Sequence, residues 1–336
     1  MSEHHTKSER YVVVRSQAGR LSCWPEERAL PESWARTAMA GTRDQCLEAI
    51  EKQFSARSED DDRDRHLQMS LMFFGDSETD RYGEKFRLLL ESARFADRNG
   101  FAALWLPERH FTKFGCLFPA PAVVQAAVAS ETERLSLRAG SVVMPLNDPV
   151  RVTEEWAVVD NLSNGRVELA FASGWHPDDF ALHPKNYERR TDAMYEGISD
   201  VRRLWGGQTL ERVNGAGEKI SVRTYPTPVQ KELPVWLTAA GNPATFQRAG
   251  ELGFGVLTHL FHQEISELES KLQLYRQSRA AAGFDPASGR VAVTLHAYVA
   301  DSLDEVRRDA GEAYCSYLRS NLGLLKQLAF SQGQSM

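Results

Sequence analysis

Cysteine is scarce. The four present, Cys23, Cys46, Cys116 and Cys315, lie far apart, with no CxxC or metal-ligand spacing. This excludes a disulfide-stapled miniprotein and points to reducing cytosol, so a cytoplasmic protein is expected. No uncharged apolar run exceeds strand length, which excludes a spanning helix of about 20 residues and gives no membrane partner. The opening MSEHHTKSER has no apolar h-region, so nothing suggests secretion. Positive charge is in deficit, with 40 Lys+Arg against 46 Asp+Glu. The net charge of −6 argues against a nucleic-acid partner held by phosphate neutralisation. What remains, 42% hydrophobic and 26% charged, is the balance of a globular chain with ample core material, excluding collagen and wholesale disorder. Its 336 residues suit one large domain or two unequal ones.

Composition changes most sharply over residues 55–66, SARSEDDDRDRH, which cannot bury itself and reads as a charged linker or a solvated helix end. Residues 1–54 form the first domain. There YVVV (11–14) and LSCW (21–24) read as a hairpin around QAGR, and RDQCLEAIEKQF (43–54) carries Leu47, Ile50 and Phe54 at helical spacing. The expected unit has two strands and a helix.

Residues 67–336 form the second domain, with alternating strands and helices. Strand-like runs are LQMSLMFF (67–74), FAALWL (101–106), LSLRAGSVVM (135–144), RVELAFA (166–172), PVWLTAA (234–240), GVLTHL (255–260) and RVAVTLHAYV (290–299). Helical stretches lie between them, for example 83–100, 119–135 and 150–165, and Gly100, Gly165 and Gly253 suit left-handed caps. Uniformly apolar strands fit a parallel sheet covered on both faces. Residues 207–233 read as a hairpin-like insertion. No GxGxxG follows the first strand and no GxxxxGK[ST] occurs, whereas polar motifs follow many strands. A closed barrel that builds its site from its loops is therefore favoured over an open doubly wound sheet.

Three strings carry candidate chemistry. Glu108-Arg109-His110 follows the second strand and reads either as a functional cluster or as a structural Glu108–Arg109 ion pair. Ser173-Gly174-Trp175-His176-Pro177-Asp178-Asp179 follows the fourth, and its His and Asp residues lack the HxH or HExxH spacing of a metal site. Ala240-Gly241-Asn242 opens a helix and reads equally as a phosphate cradle or an ordinary turn. His259 and His296 would point toward one end of the barrel if the strands align, and read otherwise as satisfied core residues. No GxSxG elbow or Cys–His pair supports covalent hydrolysis.

Together, LWLPERHFTKFG (104–115), RAGSVVMPLNDPVRVTEEWAVVDNLSNGRVELAFASGWHPDDF (138–180), PVWLTAAGNPATFQRAGELG (234–253) and VLTHL (256–260) resemble the luciferase-like flavin monooxygenases. The resemblance is greatest to the branch found in polyketide and nonribosomal peptide assembly lines. It implies a (β/α)8 TIM barrel that uses reduced FMN, supplied by a separate flavin reductase, and O2. A flavin C4a-(hydro)peroxide would transfer one oxygen atom to an aminoacyl or acyl group tethered to a carrier protein. His110 would manage protons, Glu108 orient it, and Arg109 offset negative charge on the flavin. Cofactor contacts would come from Phe73, Gly140, Ser141, Ser173, Gly174, Trp175, Arg190, Ala240, Gly241, Asn242 and His259, with Arg189 a further candidate at the phosphate. The resemblance also implies a cis Gly140–Ser141 peptide. Bacterial luciferase has histidine where Arg109 stands, and a phosphate-gripping arginine where Ser173 stands. Light emission is therefore not implied.

The segment YVVVRSQAGRLSCWPEERALPESW, followed by CLEAIEKQF, resembles an MbtH-like protein, the small partner of nonribosomal peptide synthetase adenylation domains. Ser22-Cys23-Trp24-Pro25 matches its SxWP element and Trp34 its second tryptophan, while Ser33 and Phe54 depart from the pattern. Adenylation and carrier domains are thus the implied partners. A homodimer stays open, as relatives often dimerise. Two alternatives stay open as well: a non-catalytic adaptor acting through the MbtH-like part, and an F420-dependent oxidoreductase on the same barrel. Relatives continue with a final strand and helix after the point where residues 302–330 read as helical. The expected barrel therefore lacks its last βα unit, through truncation or with another segment filling the gap.

Overall fold

A computed structural model describes residues 10–16, 21–30, 34–55, 67–74, 82–112, 117–261 and 263–331. The chain divides into two units, Met1–Leu67 and Gln68–Met336. The expected 55–66 linker and QAGR turn lie outside the described residues, Ser55 excepted.

In the first unit, β1 (Tyr11–Ser16) lies between β2 (Leu21–Pro25) and β3 (Trp34–Gly41), antiparallel to both. Strand β1 is flanked at both edges, and Val12, Val13 and Val14 are all buried. Helix α1 (Arg43–Ser55) starts with a capping box: the Thr42 amide donates to Gln45 Oε1 at 3.0 Å, and the Gln45 amide to Thr42 Oγ1 at 3.3 Å. Cys46 anchors the helix, its thiol donating to the Tyr11 carbonyl at 3.4 Å. The expected two-stranded unit is thus corrected to three. WARTAMAG lacks an apolar run, and only pairing with β1 makes it a strand.

Among its described residues the second unit has seven parallel strands: β4 (Ser70–Met72), β5 (Ala103–Leu106), β6 (Ser136–Val143), β7 (Val167–Ala172), β10 (Val235–Thr238), β11 (Gly255–His259) and β12 (Val291–Thr294). Their order is β12-β11-β10-β7-β6-β5-β4. The sheet is nearly closed, but β4 and β12 do not pair among the described residues. A β8–β9 hairpin (Leu210–Val213, Lys219–Val222) forms the insertion. Helices α2 (Tyr82–Arg98), α3 (Pro121–Glu131), α4 (Pro149–Ser163), α5 (Arg190–Trp205), α6 (Pro243–Glu251), α7 (Ile265–Ala281) and α8 (Leu303–Ser331) complete the unit. Gly100, Gly165 and Gly253 adopt φ of +74°, +84° and +71° just past helix ends, the left-handed region the caps require. No helix among the described residues is long and apolar enough to cross a membrane.

Alternation along each strand sorts side chains between the helices and the lumen. Leu104, Leu137, Leu169, Val235 and Val256 join the main core, whereas Trp105, Ala170, Trp236 and Leu257 form a separate lumen cluster. Below that cluster Arg138 is sandwiched between Trp105 and Trp236, at 4.8 and 4.9 Å from the ring centroids. Glu168 accepts from Arg138 and Arg290, each at 2.9 Å, and from Trp236 Nε1 at 2.7 Å. Burial pushes the Glu168 carboxyl up, but Arg138, Arg290 and Trp236 outweigh it and hold it below the usual range. Such a charge is tolerable only because its lone pairs are taken.

The seventh strand ends earlier than expected. Pairing stops at Thr294, and His296 lies beyond it, exposed, its ring 5.3 and 5.1 Å from Tyr314 and Tyr317 of α8. It does not join His259 at the end of the barrel strands.

Candidate active site at the barrel mouth

The C-terminal strand ends define the mouth. After β5, Pro107, Glu108 and Arg109 are buried and His110 is partly so. Glu108 Oε1 meets His110 Nε2 at 3.0 Å, while Oε2 accepts the Val143 amide at 2.7 Å. Asn147 Nδ2 donates to both oxygens, at 2.9 and 3.2 Å. Four donor contacts fix the carboxylate and, through it, the His110 ring. Arg109 does not supply any of them, so the Glu108–Arg109 ion pair gives way to a Glu108–His110 pair. Arg109 instead stacks over Trp175, 5.1 Å from the ring centroid.

On β6 the Gly140–Ser141 peptide is cis, as the resemblance implied. The register against β7 shifts by one residue between Gly140 and Val142. This extra residue lets both Gly140 and Ser141 face the lumen. A Cβ on Gly140 would sit 3.1 Å from Trp105 and 3.4 Å from Leu257, and the Ser141 hydroxyl hydrogen-bonds that of Thr238 on β10. Ser173, Gly174 and Trp175 follow β7, half-buried. Gly174 has φ +78°, and a Cβ there would lie 2.9 Å from Val143 Cγ1, so the close turn requires glycine.

The same turn carries His176 and Asp179, both buried, with Nδ1 and Oδ1 3.6 Å apart. Burial pushes the Asp179 carboxyl up, opposed by Arg109, then His176 and His110, so the two loops form one charged cluster. Among the described residues no group of three or more His, Cys, Asp or Glu converges to hold a metal.

Other candidates lie differently. Phe73 packs on the helix-side core, not the lumen cluster. Arg190 donates to the Tyr187 carbonyl at 3.0 Å and stacks on that ring at 4.8 Å. Arg189 pairs with Glu196 and lines a separate cavity with Asn147, Asp148, His183 and Arg212. Asn242 caps α6, its side chain accepting from the Ala244 amide at 3.0 Å, while Gly241 opens on empty space. His259 ends β11 on the lumen side, in step with Leu257. Thr238 and Asn147 are site residues that the sequence reading missed. Thr238 lies one strand period after lumen-facing Trp236, a signal in the alternation; Asn147 offers none, since its role depends on Glu108 folding back to it.

Among the described residues the site brings the Arg109 guanidinium, the Glu108–His110 pair and the Ser141–Thr238 hydroxyl pair to the mouth of the lumen. This donor set fits a planar, acceptor-rich and potentially anionic ring system such as a flavin. Arg189 and Arg190 are engaged locally.

A sequence model described as luciferase-like monooxygenase matches residues 66–334. The chain belongs to the luciferase-like monooxygenase family. The model of the MbtH-like proteins matches residues 1–63. Among relatives of this luciferase-like chain, the oxygenase component of a flavin-dependent trigonelline monooxygenase from Acinetobacter baylyi is 28% identical, covering 68% of this chain and 63% of its own. A 4-hydroxyprotoasukamycin monooxygenase from Streptomyces nodosus subsp. asukaensis is 29% identical, covering 70% and 65%. The chain thus spans less than two thirds of the length of these curated relatives. Among solved structures, the monooxygenase RslO1 from Streptomyces bottropensis superposes with a TM-score of 0.70 at 25% identity, over 79% of this chain and 82% of its own.

Proposed function

We propose that this protein is a flavin-dependent monooxygenase of natural-product biosynthesis. It uses reduced FMN from a separate reductase, together with O2, to oxygenate an aminoacyl or acyl group carried on a carrier protein. The observation that carries the reading is the convergence of Glu108–His110, Arg109–Trp175 and Ser141–Thr238 at the mouth of a luciferase-like barrel. Relatives named as a flavin-dependent oxygenase component and as a 4-hydroxyprotoasukamycin monooxygenase support the cofactor class, the separate reductase and the biosynthetic setting.

Bound reduced flavin would supply O2 activation and oxygen transfer. The chain's own residues do the rest. Arg109, braced on Trp175, places positive charge beside an anionic ring. The Ser141–Thr238 hydroxyl pair uses one O–H in its own bond and would offer the other to an acceptor atom of the ring, and the packed lumen cluster excludes water. His110 Nε2 is committed to Glu108, so proton exchange with a ligand falls to Nδ1.

In the first unit, Trp24 pairs across from Val12 and Trp34 from Ser16. Alternation puts both indoles on one sheet face. Cys23, opposite Val13, lies on the other face, where its thiol meets the Arg43 carbonyl of α1 at 3.9 Å. The tryptophan face is the surface proposed to meet an adenylation domain.

Anaerobic titration with reduced FMN tests the cofactor, with deazaflavin F420 as comparison. Saturable FMN binding is expected. Binding of neither flavin would favour an adaptor acting through the MbtH-like unit.

A further inference from the structure

A cavity of about 280 Å³ lies apart from the lumen cluster, with room for one small molecule. Its floor is apolar, formed by Met144 and Pro145 in the turn after β6 and by Pro149, which opens α4. Helix α5 closes one side with Ala193, Gly197 and Asp200, spaced i, i+4 and i+7 on one face. From the β8–β9 hairpin comes Arg212, which alternation puts on the inward side with buried Leu210.

The charged groups around this cavity are unequally satisfied. Glu196 is fully engaged, both its oxygens accepting from Arg189 Nη2, at 2.6 and 2.5 Å. Arg212 is not. Its Nη2 lies 3.5 Å from Asp148 Oδ1, and among the described residues this buried nitrogen makes no hydrogen bond. Asp148 Oδ1 is committed to the Val150 amide at 2.8 Å, as the cap of α4. The nearest cation recorded for Asp200 is Arg203 Nη1, at a loose 3.7 Å. A buried guanidinium N–H without an acceptor is costly, and a ligand carboxylate would supply one. Two carboxylates with acceptor capacity to spare suit an ammonium group, and the Met–Pro floor suits an aliphatic chain.

We propose that this cavity binds a free α-amino acid with an aliphatic side chain. Its carboxylate meets Arg212, its ammonium meets Asp148 and Asp200, and its side chain rests on the apolar floor. The site does not depend on a bound flavin, yet one residue joins it to the barrel mouth. Asn147 lines the cavity and donates Nδ2 to both Glu108 oxygens, and also to the Val143 carbonyl at 3.0 Å. Glu108 in turn holds His110. Occupancy of the cavity biases that chain of contacts, so the amino acid acts as an effector of proton exchange at His110.

Saturation-transfer difference NMR with L-leucine as probe tests the site. Two analogues run beside it: 4-methylpentanoate, which lacks the ammonium, and 3-methylbutylamine, which lacks the carboxylate. Saturable L-leucine binding is expected, with each analogue weaker by at least about tenfold. Arg212→Ala should weaken L-leucine by a similar factor. Ala193→Leu, which fills the cavity without touching a charge, should abolish binding, and circular dichroism melts show that each variant folds. No L-leucine binding by wild type, equal binding of either analogue, or unchanged binding in either folded variant would overturn the proposal. The coupling is read from the His110 ring-proton titration, assigned by its loss in His110→Gln, with and without saturating L-leucine. A shifted His110 pKa is expected, and the shift should vanish in Asn147→Ala. Identical titration curves in wild type would overturn the effector role. No flavin enters either measurement, so failure here and failure of the flavin reading are distinguishable.

Discussion

Glu108 accepts the backbone N–H of Val143 at 2.7 Å, joining the loop after β5 to the end of β6. One carboxylate thereby ties two strand ends together and aims His110. Its burial is tolerable because donors occupy both oxygens.

Truncating that carboxylate should cost stability as well as activity. In Glu108→Ala the Val143 amide loses its acceptor and the Asn147 side-chain amide keeps only the Val143 carbonyl, at about 1–3 kcal/mol for each N–H left unsatisfied. His110→Ala removes only one of the four contacts and should destabilise far less. Urea unfolding of the two variants checks the order; equal midpoints would contradict it.

His110→Ala should lower product formation more than flavin binding, since Arg109, Ser141 and Thr238 remain in place. Steady-state oxygenation rates set beside FMN dissociation constants give the split. Unchanged turnover would remove His110 from the mechanism.

The lumen charge cluster makes an acid-dependent prediction. The folded-state pKa of Glu168 is depressed, so its stabilising contribution is fully present above the ordinary glutamate range of about 4.3 and is lost as pH falls through the folded value. Glu168→Gln should flatten that part of the stability–pH curve. At neutral pH it should destabilise the barrel by about 3–5 kcal/mol, because buried Arg138 loses its partner. Thermal melts across the acid range measure both effects.

Trp24→Ala or Trp34→Ala in the first unit should weaken capture of a cognate adenylation domain at least about tenfold, as expected for aromatic anchors of an interface. Surface-immobilised adenylation domain provides the measurement, and wild-type affinity in both variants would contradict the proposed face.

Much of the barrel is legible in the sequence because its strands are apolar on both faces. Runs such as VELAFA cannot satisfy themselves except between lumen and helices. Strand β3 is not legible, because WARTAMAG exposes polar and apolar residues alike and acquires strand structure from β1. His296 is misplaced for a related reason: the apolar run 290–299 outlasts the partner that pairs with it, and β12 stops at Thr294. At the site, the LPERH string is visible as charge at a strand end. Its pairing is not, because Glu108 is satisfied by Val143 and Asn147, which lie 35 and 39 residues away. The SGWHPDD string divides in the same way. Its His176–Asp179 approach is local, but its place beside Arg109 depends on β5 and β7 flanking β6 on either side.

The most direct test of the central claim is oxygen transfer itself. Protein loaded anaerobically with reduced FMN is mixed with 18O2 and candidate carrier-bound amino acids, and intact-carrier mass spectrometry follows the substrate. The expected result is one 18O atom in the tethered substrate, dependent on reduced FMN and diminished in His110→Ala. Saturable FMN binding with no 18O in any carrier-bound, free aminoacyl or acyl substrate, and only hydrogen peroxide released, would contradict it.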